Sequence, residues 1–247
     1  MMEWSDQGIV LSARRHGESS AILSLLTEGH GRHAGLVRGG ASRRQRGILQ
    51  PGNLVKAAWR ARLEEHLGSF TVELLRNPSA AWLDDPARIA ALSSACTIAD
   101  QTLPEREPGE SVFNGLARLL AAMDEPGWQA AYVEWELALL GELGFGLDLS
   151  ACAATGSNDA LAYVSPRSGR AVSISAGEPY REKLLQLPGF LIGGAPAGPG
   201  DIAAGLALTG FFLDRYLYAP HQRRLPDPRG RLVERIRRAD AGEPAVP

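Results

Sequence analysis

The sequence predicts an α+β fold, with short strands in the first third and helices through most of the rest. Apolar residues recur with a period of about two up to residue 76, and with helical spacing beyond Asn77-Pro78. Glycine-rich and polar breaks punctuate the first part at His16-Gly17-Glu18, Glu28-Gly29-His30-Gly31 and Gly39-Gly40.

Five strands are expected: Gly8–Arg14, Ala21–Thr27, His33–Arg38, Leu54–Arg62 and Gly68–Leu74. Five short strands in about 75 residues suit a small closed barrel, and the five-stranded OB-fold is the commonest such barrel that carries basic loops. Helices follow. Asp85-Pro86 reads as a helix start, because Asp caps free N–H groups and Pro fits a first turn. Val112, Phe113, Leu116, Leu119, Leu120 and Met123 form one helical stripe, and Tyr132, Trp135, Leu139, Leu140 and Leu143 another, ending at Gly144 and Gly146. Asp201 and Asp227-Pro228 open two more, and residues 240–247 read as a frayed tail. Between helices, residues 148–177 read as a small irregular β-like insertion. The division expected is an OB-fold domain over residues 1–78 and an α-helical domain over 79–247.

Composition narrows the function. The chain has 247 residues, 45% hydrophobic and 22% charged, as in ordinary globular proteins. No run of about 18 apolar residues occurs, so no membrane partner is expected. Acidic Glu3 and Asp6 argue against a signal peptide, and two cysteines, Cys96 and Cys152, suit a reducing cytoplasm. The net charge of −2 hides three blocks. Ile9 to Arg62 carries ten basic residues against two acidic, Ala81 to Ala160 three against thirteen, and Arg215 to Arg238 eight against two. Such blocks fit either a polyanion-binding face or a patchwork solvated surface.

Enzyme motifs are missing. There is no GxxxxGK[ST] loop and no GxSxG elbow. His30 and His33 would need more carboxylates than Glu28 to hold a metal, and Cys152 has no neighbouring histidine. Glu134 and Glu136, two apart, read as solvated rather than as a catalytic pair. The chain is expected to be no enzyme and to need no cofactor.

Ile9-Val-Leu, Arg15-His-Gly-Glu-Ser-Ser20, Leu26-Thr-Glu-Gly-His-Gly-Arg32, Val37-Arg-Gly-Gly40 and Leu49-Gln-Pro51 follow one another along the first part of the chain. The order of these motifs resembles RecO proteins, the bacterial recombination mediators. Cys152 to Gly156, Tyr163 to Arg170 and the arginine-rich end resemble the family's C-terminal domain. The resemblance implies an OB-fold with a helical domain, and a cytoplasmic, nucleoid-associated role in DNA repair. It implies binding of single- and double-stranded DNA, annealing of complementary strands and, with RecR, assistance to RecA loading on DNA coated by single-strand-binding protein (SSB). Some members carry a four-cysteine zinc site in the insertion. With Cys152 alone there, no zinc is expected, and packing and turn hydrogen bonds must hold the insertion.

Annealing requires neutralising two phosphate backbones, for which arginine's fork of donors is suited. Arg38, Arg43, Arg44 and Arg46 form the densest candidate, read as a glycine-hinged flexible loop. Arg14 and Arg15 lie on the first turn, and Lys56, Arg60 and Arg62 on a late strand. Arg223 and Arg224, with Arg229 and Arg231, extend the basic surface or receive an acidic protein tail. Trp59 and Phe70 are candidates for base stacking or for the core. The acidic SSB tail ends in apolar residues, and Phe211, Phe212 and Arg215 supply an apolar pocket rimmed by arginine, unless the phenylalanines are core. The competing class is an adaptor that docks SSB or RecR and touches DNA only incidentally.

Overall fold

The computed structural model describes residues 2–193 and 196–242, in two compact units, Met1–Leu120 and Ala121–Pro247. The first unit opens with β1 (Met2–His16), β2 (Ser20–Thr27) and β3 (Gly31–Val37). A short helix α1 (Arg43–Ile48) precedes β4 (Leu54–Ala61) and β5 (Ser69–Arg76). Helices α2 (Pro86–Thr102) and α3 (Glu110–Ala122) follow.

The strands run round a closed barrel in the order β1-β2-β3-β5-β4. Alternation explains why. In β4, Val55, Ala57, Trp59 and Ala61 are buried while Lys56 and Arg60 point to solvent. The core gathers those four with Val10, Leu23, Leu25, Val37, Leu49 and Phe70. β1 is buried on both faces from Gly8 to Leu11, since α2 packs against its other side. Asp100 of α2 accepts hydrogen bonds from Ser12 Oγ (2.8 Å) and Ser24 Oγ (2.5 Å), tying the helix to β1 and β2.

The expected fold class requires correction. The five strands close a ring, but it is not paired all the way round, because the seam between β3 and β5 lacks a continuous ladder. Where β3 meets β5 the structure has a single parallel pair, Leu36 with Ser69, and one bond from the Leu36 N–H to the Gly68 carbonyl (3.1 Å). The other four junctions are antiparallel ladders. Further along β5, Leu74 and Leu75 are exposed while the strand stays paired with β4 through Arg76. The segment read as a flexible loop is helical, with Ser42 as its cap accepting from the Gln45 N–H (3.4 Å).

In the second unit, α4 (Trp128–Glu142) leads to β6 (Leu161–Val164), β7 (Ala171–Ser173) and the one-turn α5 (Ile174–Gly177). β8 (Leu185–Gln186) completes a three-stranded sheet of order β7-β6-β8. The insertion is therefore a sheet whose third strand lies beyond residue 177. Its turn is held as a knuckle. The Cys152 N–H donates to Ser157 (2.7 Å), Ala153 to Ala171 (2.8 Å), and the Ser173 N–H to Cys152 Sγ (3.3 Å). Hydrogen bonds from Ser173 and Thr155 lower the Cys152 thiol pKa to about 6.

α6 (Asp201–Leu213) continues into a π-helical turn, Asp214–Tyr218, and α7 (Asp227–Asp240) ends the described chain. The tail expected to fray lies, beyond residue 242, outside the described residues. Glu136 corrects a sequence expectation, because it is buried, not solvated, and accepts from Arg229 Nε (2.7 Å) and Nη2 (2.9 Å) and from Thr209 Oγ1. Arg229 is likewise buried and therefore does not extend a basic surface. Burial lowers the arginine's pKa, but the Glu136 carboxylate outweighs that and holds it above the ordinary value. Among the described residues, no helix is long and apolar enough to cross a membrane.

Candidate nucleic-acid interface

The densest basic surface is built from two segments that the strand order brings side by side. The Ala41 N–H donates to the Ser19 carbonyl (2.9 Å), joining the β3–α1 connection to the β1–β2 turn. Gly40 permits this approach, since a Cβ there would sit 2.8 Å from Ala21 Cβ and 3.0 Å from its nitrogen. Arg15 and Arg46, about thirty residues apart, thereby line one open cavity of about 570 Å³, with Glu18 and Gln50 on its rim and Leu11 and Leu49 in its wall.

The Arg15 side chain is prearranged. Its Nε donates to the Gly17 carbonyl (3.2 Å) and its Nη2 to the Glu18 carbonyl (3.0 Å), which fixes the guanidinium across its own turn. On α1, Arg43, Arg44 and Arg46 are exposed and follow a six-residue frame that sets their spacing. Gln50 Nε2 donates to the Arg46 carbonyl (2.9 Å), closing the helix end. Among the described residues, Arg14, Arg15, Arg38, Arg43, Arg44 and Arg46 have no acidic partner at ion-pair distance.

The β4 candidates differ. Arg60 Nε lies 3.1 Å from Glu3 Oε2, and Lys56 stands in register with Gln7 on one side and Glu73 on the other. Their charge is partly answered inside the sheet. Arg62 is exposed just past the strand. In the second unit, Arg223 and Arg224 are exposed on the connection into α7, whereas Phe212 is fully buried and Phe211 half-buried. Arg215 is exposed and donates through Nη1 to the Pro166 carbonyl (3.0 Å).

The stacking candidates are core. Trp59 is 1% exposed with its Nε1 donating to the Leu67 carbonyl (3.0 Å), and Phe70 is 4% exposed. Trp4 and His30 stack at 4.0 Å, His30 Nδ1 lies 3.0 Å from Asp6 Oδ2, and His33 is walled in by Trp4, Trp59 and Phe70. Burial first, then Arg106 and His30, lower the His33 pKa to about 4, so its ring is neutral at pH 7. Sequence reasoning missed Glu18 and Gln50 as rim residues. The Leu49-Gln50-Pro51 run was a visible signal for the second.

Exposed arginines without ion-pair partners, framed by a short helix and the end of β1, suit a polyanion-binding protein. Comparison with known proteins specifies the class. Residues 1–78 match the family described as Recombination protein O N terminal, and residues 83–225 match Recombination protein O C terminal. The "DNA repair protein RecO" of Rhodospirillum centenum is 56% identical over 240 residues, covering 96% of both chains. That of Rhodospirillum rubrum is 53% identical over 251 residues (98% of this chain, 100% of the relative), and that of Methylobacterium nodulans 50% over 248 (98% and 100%). This chain belongs to the RecO family, the recombination mediators of DNA repair, whose work is DNA binding and strand annealing rather than catalysis.

Proposed function

We propose that the mediator's annealing activity is carried by the acid-free arginines of the first unit. Arg14 and Arg15 at the end of β1, Arg38, and Arg43, Arg44 and Arg46 at α1 bind phosphates of single- and double-stranded DNA. Arg62 adds to them, while Lys56 and Arg60 contribute less because acidic neighbours share their charge. The observation that supports this reading is the joining of the two segments, which puts Arg15 and Arg46 on one cavity. Arginines on a fixed frame neutralise two backbones at once and release condensed counterions, giving affinity with little sequence preference. We read residues 1–78 as the DNA-binding domain and 79–247 as the helical one. In the helical part, Arg223 and Arg224 extend DNA contact, and Arg215 with Phe211 receives the acidic SSB tail. Phe212 is fully buried, so Phe211 alone of the two phenylalanines is open to it. RecR completes the set of partners for RecA loading.

The test is annealing of two complementary fluorescent oligonucleotides at low and moderate salt. The parent should accelerate annealing and lose the effect with salt. The combined change Arg43→Ala, Arg44→Ala, Arg46→Ala should cut the acceleration about tenfold or more at moderate salt, each lost contact weakening binding. A folded parent that accelerates nothing would point to the docking adaptor instead.

A further inference from the structure

The second unit carries an aromatic stack that the arginine reading does not use. α4 ends at Glu142, and the chain turns through Gly144-Phe145-Gly146, with the Phe145 N–H reaching back to the Leu140 carbonyl (2.8 Å). This turn holds Phe145 outward, 36% exposed, with its ring on Tyr216 at 4.9 Å and 10°. Tyr216 in turn lies at 5.8 Å and 20° from the fully buried Phe212. Three near-parallel rings thus run from the core to the surface, and the outermost is the exposed one.

The stack depends on the π-helical turn Asp214–Tyr218, where the Ala219 N–H bonds to the Asp214 carbonyl. Such a turn rotates the following side chains relative to a regular helix, and π turns recur at functional sites. A cationic group flanks the stack. The Arg215 guanidinium lies 5.7 Å from the centroid of the Tyr216 ring, and its Nη1 donates to the Pro166 carbonyl. Pro166 belongs to the turn bearing Arg167, which the Gly169 N–H closes on the Ser165 carbonyl (2.9 Å), and a Cβ at Gly169 would lie 3.1 Å from Leu147 and 3.9 Å from Phe212. Among the described residues neither Arg215 nor Arg167 has an acidic partner at ion-pair distance, whereas Arg170 is answered by Asp148 at 3.2 Å. The exposed acids nearby in sequence are Glu142 and Asp148 on either side of Phe145 and Asp214 beside Arg215, of which Asp148 is paired with Arg170.

We propose that Phe145 is a base-stacking site for single-stranded DNA, with Arg167, and Arg215 in competition with the acidic SSB tail, taking the adjoining phosphates. An exposed aromatic face backed by further rings, with unpaired guanidinium groups beside it, is the combination that grips unpaired bases without reading their sequence. A base in a duplex has both faces covered and gains nothing there, so the site selects single strands. The inference rests on the DNA-binding reading above and adds a second, non-electrostatic contact to it.

The experiment measures affinity for a fluorescent oligo-dT strand, and separately for an acidic peptide ending in apolar residues, with the parent, Phe145→Ala and Phe145→Trp. Circular dichroism and melting verify that each is folded, which an exposed position favours. Phe145→Ala should weaken oligo-dT binding about fivefold or more, Phe145→Trp should restore it, and a duplex of equal length should bind as before. Unchanged oligo-dT affinity in Phe145→Ala overturns the proposal, as does a loss confined to the peptide, which would make the patch a peptide receptor. A parent that binds no oligo-dT would instead sink the DNA-binding reading itself.

Discussion

Glu136, Arg229 and Thr209 make a polar triad in the interior of the second unit, joining α4, α6 and α7. The carboxylate accepts two bonds from Arg229 and one from Thr209, and Arg229 Nη2 also donates to the Leu206 carbonyl (2.7 Å). Removing one partner strands a charge without water, so Arg229→Ala should cost about 3–5 kcal/mol. Urea denaturation reads this directly, and a loss below about 1 kcal/mol would mean that water reaches the carboxylate. Replacing both residues together by methionine should recover most of the loss. His33 makes a second residue-scale prediction. Its unfolded pKa is 6.5 and its folded pKa about 4, so between those values the unfolded chain binds more protons. The stability it contributes is complete above pH 6.5 and is lost as pH falls through about 4. The melting temperature should therefore drop less between pH 7 and pH 5 in His33→Leu than in the parent. An equal drop in both would show that His33 protonates freely while folded.

The β2–β3 turn shows how an element is fixed by what docks on it. Gly31 has φ +62°, and a Cβ there would fall onto the Glu107 backbone. Beside it, Arg32 Nε donates to the Leu103 carbonyl (2.7 Å), and its Nη1 lies 3.2 Å from Glu105. Gly31→Ala combines left-handed strain with a backbone clash and should cost well over about 1 kcal/mol. Limited proteolysis should then cut near residues 103–107 before anything else, and a cut elsewhere first would refute the docking role. Elements with local signals were legible in the sequence. Asp85 caps α2 through the Ala87 and Arg88 N–H groups (3.1 and 3.0 Å), chemistry contained in neighbouring residues. α1 was not legible, because Arg43-Arg-Gln-Arg-Gly carries no apolar stripe and its six residues depend on the Ser42 cap and on Ile48 and Leu49 packing into the core. The first half of β1 was also hidden. Glu3, Ser5 and Asp6 read as polar coil until β4 pairs with them. The arginine clusters were visible from composition, but which arginines have partners was not. Arg229 meets Glu136 across 93 residues, and Arg60 meets Glu3 only through strand register.

Across the whole molecule, net charge opposes DNA binding. The chain carries −2 at pH 7, so if the average field governed association, a phosphate backbone would be repelled. Beyond about 8–10 Å at physiological salt such averages are screened, and local groups decide. Two variants with the same loss of three positive charges separate the two cases. One is the Arg43, Arg44, Arg46 triple alanine. The other is Arg118→Ala, Arg181→Ala, Lys183→Ala, three exposed residues outside the proposed interface. The control should hold oligo-dT affinity within about twofold at 0.15 M salt and keep the parent's slope of log affinity against log salt. The α1 triple should bind more weakly, with a slope shallower by about 2, since each single-strand phosphate contact contributes about 0.7. Equal weakening in both variants would mean that net charge, not the frame built by Ser42, Gly40 and the β1–β2 turn, recruits the strand. Because the α1 triple has the shallower slope, the local reading requires the two curves to lie furthest apart at low salt and to converge as salt rises.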